Sequence, residues 1–303
     1  MENKRYILGV DIGGTSVKIG VVNESSCIES TSIRNTFKGK PQELIPGIKS
    51  LCEYYINKFH IQRIGIGCPG EIQDGIVLHA SNLGWRNFDI LSAFNEAFPN
   101  KYIKVDNDGN TACLAEMHYG KLKGVDNGIF ITLGKGIGGA IILDGKMVLG
   151  TNGLGGRFGH MVIRTNGRRC SCGRRGCFET YGSVTGLIQT VREHNSRWEI
   201  EEEKIDASKI SGFMIVQAIN ENNKIVQESV QRWNHDLAEG ILNLCAIFDS
   251  KMVIIAGGIT ESGLIDLEYI KEFIRVLGYD NCKISLATFK GKTGIIGAAA
   301  LVD

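Results

Sequence analysis

Residues 6–22, YILGVDIGGTSVKIGVV, set the fold. Apolar runs flank a glycine turn, which reads as strand, turn, strand. Asp11 ends the first strand, and Gly13, Gly14 and Thr15 make the turn. The Walker spacing and its Lys-Ser/Thr pair are missing. The bend still offers a carboxylate, a hydroxyl and exposed backbone N–H groups, which are the parts needed for Mg²⁺ and phosphate. A plain hairpin would use the same residues. Residues 128–145, GIFITLGKGIGGAIILDG, repeat the design around Thr132, Gly134, Lys135 and Gly136. Two β-turn-β units so spaced predict a duplicated α/β domain, and turns facing each other across a cleft would clamp a polyphosphate.

The segments between the copies belong to the first domain. Leu44, Ile45, Ile48, Leu51, Cys52, Tyr55 and Ile56 follow helical spacing. Residues 63–67 form a short strand that breaks at Cys68-Pro69-Gly70, and 79–85 (HASNLGW) read as a polar loop. Asp89 caps a helix running to about Phe98. A strand from Tyr102 to Val105 leads into Asp106-Asn107-Asp108-Gly109-Asn110 and a helix over 111–119. This turn lies at a strand's C-terminal end, where open α/β sheets bind ligands. Asp108 can serve that site or simply cap the helix. Four polar residues in one turn exceed what a cap needs and favour the site.

Further on, 181–195 read as helix, 196–204 as an acidic solvated segment, and 225–248 as a long helix. Residues 252–256 are a buried strand ending in Gly257-Gly258, a turn that lets a nucleotide approach the backbone. The small residues of 293–300 predict a helix packed closely on a sheet.

A second stretch, Gly155 to Glu179 (GGRFGHMVIRTNGRRCSCGRRGCFE), carries different chemistry. Cys170, Cys172 and Cys177 crowd together, with His160 ten residues before the first. Three thiolates and an imidazole complete a tetrahedral structural zinc set. Glycines and arginines fill the gaps, so a metal is expected to give this loop its shape.

Composition bounds the rest. A chain of 303 residues, 43% hydrophobic and 22% charged, is globular and long enough for two domains. A net charge of +1 builds no field for nucleic acid or membrane. No run is long enough to span a bilayer, and the opening residues do not read as a signal peptide. Six further cysteines are scattered in apolar or neutral segments as free thiols, which predicts a reducing cytoplasm.

These pieces resemble the ROK family, the bacterial group of repressors, open reading frames and sugar kinases, and within it the glucokinase-like kinases. The resemblance covers nearly the whole chain. It rests on Asp11-x-Gly13-Gly14-Thr15, Pro69-Gly70 through Asn82-Leu83-Gly84-Trp85, Asn107-Asp108-x-Asn110, Gly159-His160, Cys170-x-Cys172-Gly173-x-x-Gly176-Cys177-x-Glu179, Gly257-Gly258 and Gly297-Ala298-Ala299. It implies a two-domain actin-like, hexokinase-type fold of duplicated ribonuclease H-like domains with an interdomain cleft. The first domain would take residues 1–120 and a returning segment from about 290, the second 121–289.

The resemblance implies ATP-dependent phosphorylation of a hexose or N-acetylhexosamine on its 6-hydroxyl. Asp108 would be the general base and Asp11 would help place Mg²⁺. Gly13, Gly14, Thr15, Lys18, Thr132, Gly134, Lys135, Gly136, Gly257 and Gly258 would hold ATP. Asn82, Asn107, Asp108, Arg157, His160 and Glu179 would face the sugar, and His160 would also bind zinc with Cys170, Cys172 and Cys177. The partner is a small sugar, with no direct nucleic-acid reading and no membrane, in a homodimer or homotetramer.

Two positions depart from the family. Arg157 stands where the kinases carry a glutamate that accepts sugar hydroxyls, and an arginine only donates. It either swings to solvent, recruits an anionic sugar, or weakens catalysis by depressing the basicity of Asp108. Lys135 replaces a threonine in the second turn, and either contacts phosphate or points outward. The alternative function is a catalytically weak sugar- or nucleotide-binding regulator.

Overall fold

The computed structural model describes residues 5–23, 26–33 and 35–303. The chain forms two compact units, one of residues 1–124, 149–155 and 288–303, the other of 125–148 and 156–287.

In the first unit β1 (Ile7–Ile12), β2 (Val17–Asn23) and β3 (Ser26–Ile33) form an antiparallel meander. Helix α1 (Leu44–Phe59) buries Leu44, Ile48, Cys52, Tyr55 and Ile56, and ends at left-handed His60. Strand β4 (Arg63–Cys68) returns parallel to β1. A small antiparallel sheet of β5 (Glu71–Gln73), β6 (Ile76–Ala80) and β7 (Trp85–Asp89) follows. The expected loop over 79–85 is a four-residue turn, 81–84, whose flanking residues belong to two strands too short to show a period. Helix α2 (Ile90–Ala97) starts where Asp89 accepts from the Ser92 amide. Strand β8 (Tyr102–Asn107) pairs with β4 and runs directly into α3 (Asp108–Tyr119). The main sheet order is β3-β2-β1-β4-β8.

The second unit repeats that order. Strands β9 (Gly128–Leu133), β10 (Ile137–Leu143) and β11 (Lys146–Met147) form the meander. The Cys-rich loop leads into α4 (Glu179–Gly182) and α5 (Val184–Arg197). The single helix expected from 181 is thus split at Ser183, whose hydroxyl caps α5 by accepting from the Gly186 amide. Helix α6 (Gly212–Asn220) precedes the long α7 (Lys224–Phe248), whose buried stripe includes Trp233, Leu237, Ile241 and Leu244. Strand β12 (Met252–Ala256), helix α8 (Leu267–Val276) and strand β13 (Lys283–Leu286) complete the order β11-β10-β9-β12-β13. Both sheets are therefore a three-stranded meander followed by two parallel strands.

Helix α9 (Thr293–Ala300) closes the first unit against β1, β4 and α3. A Cβ at Gly9 or Gly65 would strike its backbone, and one at Gly297 would strike that of α3. The small residues are there because backbone lies on backbone. Among the described residues, no helix is long and apolar enough to cross a membrane.

Candidate functional site

The parallel strands of the first unit end together. Asp11 on β1 is level with Gly67 on β4, and Gly67 with Asp106 on β8. One residue beyond β8, Asp108 opens α3. Asn107, not Asp108, caps that helix: its Oδ1 accepts from the amides of Gly109 (2.8 Å) and Asn110 (3.4 Å). Its Nδ2 donates to the Gly70 carbonyl at 2.7 Å. The side chain of Asp108 is thereby released from capping and accepts from the Gly109 amide at 2.9 Å.

Asp108 is half-buried, and burial pushes its carboxyl up to about 6. The Asp11 carboxylate adds to that rise, while the Gly109 N–H opposes it. Asp11 is itself raised by burial, against the pull of Lys18. Lys18 faces Asp11 across the hairpin and donates to the Gly291 carbonyl at 3.1 Å. Gly294 makes room for Asp11, since a Cβ there would fall on the carboxylate. The buried thiol of Cys68 borders both acids, and its pKa rises from burial first and then from their charge. Beside Asp11, the Gly13 amide closes the turn onto Ser16 at 2.8 Å, leaving Gly14 and Thr15 exposed. Asn82 is exposed in the turn between β6 and β7.

Two residues of this cluster had no role of their own in the sequence analysis. Cys68 looked like any buried thiol. Asp106 accepts from the Asn107 amide (2.6 Å) and from Asn110 Nδ2 (3.0 Å), so it shapes the turn. Its place in the Asp106–Asn110 run was the available signal.

In the second unit β9 and β12 are parallel neighbours with Thr132 level with Ala256, so the turns 134–136 and 257–258 share one edge. The Gly134 amide donates to the Gly136 carbonyl at 3.0 Å, and Lys135 is exposed at the tip. Gly257 sits at φ 110° against the backbone of Leu133, a place no side chain fits. A Cβ at Gly258 would meet open space. This edge is therefore lined by accessible backbone, as a phosphate or nucleotide requires.

The Cys-rich loop brings its four expected ligands together. Ligand atoms of His160, Cys170, Cys172 and Cys177 all lie within 4.8 Å of one another. Cys172 and Cys177 are 3.6 Å apart at sulfur, and Cys170 Sγ is 3.6 Å from His160 Nδ1. A tetrahedron with arms of about 2.3 Å has edges of about 3.8 Å, so the set fits a zinc ion. Glu179 adjoins it: Oε1 is 3.0 Å from Cys170 Sγ and 3.7 Å from His160 Nδ1. A Cβ at Gly136 would meet Glu179 Oε2, so the loop also abuts the second glycine turn. Arg157 is exposed just before the 3-10 turn Phe158–His160.

Side-chain contacts brace the loop as well. Arg164 and Arg168 stack on the Tyr181 ring, 4.5 and 4.7 Å from its centroid. Arg164 pairs with buried Asp236 on α7, and Arg168 grips Glu193 on α5 through two hydrogen bonds of 3.0 and 2.6 Å. Arg168 also donates to the Thr180 and Gly186 carbonyls and to Thr190.

The sequence profile of the ROK family matches residues 7–303. The chain is 31% identical to a glucokinase of Halalkalibacterium halodurans, over 98% of this chain and 95% of that one. It is 29% identical to a xylose repressor of Caldicellulosiruptor bescii, over 98% of this chain and 77% of that one. Its fold superposes on a ROK glucokinase from Streptomyces griseus, solved with glucose and AMPPNP, with a TM-score of 0.78 and 26% identity over 98% and 99% of the two chains. The doubled sheet order is that of the two-domain actin-like, hexokinase-type fold. The chain belongs to the ROK family.

Proposed function

We propose that this protein is an ATP-dependent sugar kinase that phosphorylates a hexose or N-acetylhexosamine on its 6-hydroxyl. One observation carries the reading. Asp108 is freed from capping, held beside Asp11, and raised to about 6, which suits a base that is ionised yet basic near neutral pH. It would take the proton of the attacking hydroxyl as that oxygen approaches the γ-phosphorus of ATP. Asp11 would hold Mg²⁺, which offsets phosphate charge when bound. The Gly13–Thr15, Gly134–Gly136 and Gly257–Gly258 turns offer backbone N–H groups and open space to ATP, with Lys18 and Thr132 at their flanks. Asn82, Asn107, His160 and Glu179 would position the sugar. Asn107 retains one amide hydrogen for it after binding Gly70. His160, Cys170, Cys172 and Cys177 would hold a structural zinc ion that braces this wall. The similarity to a glucokinase over nearly the whole chain supports the class of reaction.

Arg157 and Lys135 favour a second reading: a catalytically weak sugar- or nucleotide-binding regulator, a class to which the similar xylose repressor points. Incubation with Mg-ATP and a panel of hexoses, N-acetylhexosamines and acidic sugars separates the two. ADP release above the no-sugar blank is expected. Sugar binding without ADP release would replace the kinase by the regulator.

A further inference from the structure

The two units are joined where the chain crosses between residues 124 and 125, 148 and 149, 155 and 156, and 287 and 288. One buried carboxylate holds the first-unit side of the first and last of these crossings. Glu116 lies on α3 and is 0% exposed. Its Oε1 accepts from the Thr288 amide at 2.5 Å. Its Oε2 accepts from the Thr288 hydroxyl at 2.8 Å and from the Lys121 amide at 2.9 Å. Its main-chain carbonyl accepts from the amides of Gly120 and Leu122, both at 3.1 Å. The outgoing segment is thus held by three bonds to this residue and the returning one by two.

A carboxylate is costly to bury and is retained only where its donors are fixed. Those donors, two main-chain amides and the Thr288 hydroxyl, come from two segments separated by more than 160 residues of sequence, so Glu116 ties the two together. It also sits on the helix whose first residue is Asp108, eight residues or about 12 Å along the axis. A helix over that span behaves as a rigid rod. We infer that Glu116 is a positioning residue: it fixes both crossings to the helix that carries Asp108, so that the anchoring of the joining segments sets the place of the base. This rests on the kinase reading for its functional half and on geometry alone for its structural half.

Glu116→Gln separates this role from simple burial. The amide keeps size but has one acceptor, so either the Thr288 or the Lys121 N–H loses its partner. Hydrogen exchange by mass spectrometry on the full chain should show about tenfold faster exchange in peptides covering 118–124 and 286–291. The first turn of α3 should follow them, with α1 unchanged as the control. The kcat for sugar phosphorylation should fall by about tenfold while KM for ATP stays near wild type. Thr288→Ser, which keeps both donors, should stay close to wild type in both measurements. Wild-type exchange at the two crossings in Glu116→Gln would overturn the inference. So would loosened crossings with an unmoved first turn of α3 and an unchanged kcat. If the wild type phosphorylates no sugar, the kinase reading falls by itself, and exchange at the first turn of α3 alone decides for or against Glu116.

Discussion

The side-chain amide of Asn107 and the main-chain carbonyl of Gly70 are joined by a 2.7 Å hydrogen bond that ties the end of β8 to the end of β4. The same side chain caps α3. Asn107→Ala removes both contacts at once. It should lower stability by about 1–2 kcal/mol in urea unfolding. Asn107→Asp keeps the cap but puts an acceptor against the Gly70 carbonyl and a second charge beside Asp108. It should fold better than the alanine variant yet lose more of kcat/KM.

The raised carboxyl of Asp108 has two consequences with pH. If Asp108 is the base, kcat/KM falls on the acid side with an apparent pKa near the value of about 6. Stability runs the other way. The folded protein holds this proton more tightly than the unfolded chain, so the acid contributes stability below the ordinary carboxylate range and loses it as pH rises through about 6. Asp108→Asn should therefore unfold at higher urea than wild type at pH 7.5, by roughly 2 kcal/mol, and the gain should vanish near pH 4. The same variant should lose about two to four orders of magnitude in kcat. A stability gain that persists at low pH would argue against an ionised Asp108 as its cause.

Asp236 is 2% exposed and meets both Arg164 and Arg232. Burial raises its carboxyl, and Arg164 leads the forces that lower it. Asp236→Ala strands two guanidinium groups and frees the brace that presses Arg164 on Tyr181. A loss of about 3 kcal/mol is expected in equilibrium unfolding. The Arg164 amide donates to the Gly176 carbonyl within the Cys-rich loop; if His160 and Glu179 hold the sugar, sugar affinity should drop while nucleotide affinity stays level, as titration calorimetry would show.

Metal analysis of reduced protein should find about one zinc per chain. Cys172→Ser should lower that content and the melting temperature. If His160 and Glu179 hold the sugar and the glycine turns hold ATP, chelation should weaken sugar binding more than nucleotide binding, since His160 is in the metal-ligand set, Glu179 adjoins it and the turns contribute no residue to it. Zinc far below one per chain in untreated, reduced protein would refute the metal assignment.

Much of this was legible because the signals are local. A strand that breaks into Asp11 and a glycine turn shows itself within a dozen residues, and so does its copy at 128–145. The ligands His160, Cys170, Cys172 and Cys177 lie within eighteen residues of sequence, so spacing alone gathered them. The 25-residue α7 announced itself by period. The β5–β7 sheet did not, because its strands have only three to five residues. A signal was nonetheless present: Asp74-Gly75, both at positive φ, form the tight turn between β5 and β6. The arginine brace was hidden for a different reason. Arg164 meets Asp236 across 72 positions, and no local pattern marks an arginine as structural rather than solvated. The role of Asn107 as cap, and so the freedom of Asp108, depended on which of two adjacent polar residues turned inward, a choice made by the reach of Asn107 to Gly70.

Helix α9 is translated after every residue of the second unit, yet it seals the sheet that begins at β1. On the ribosome the first half of the chain must therefore wait with β1 and β4 uncovered while 125–287 emerge, an interval of roughly ten to thirty seconds at ordinary elongation rates. The later-made unit can finish first. The glycines that admit α9 so closely, Gly9 and Gly65, are thus also the sites where a nascent chain stays open to chaperones or to misassembly. A bulkier residue there would lower the yield of folded protein in the cell.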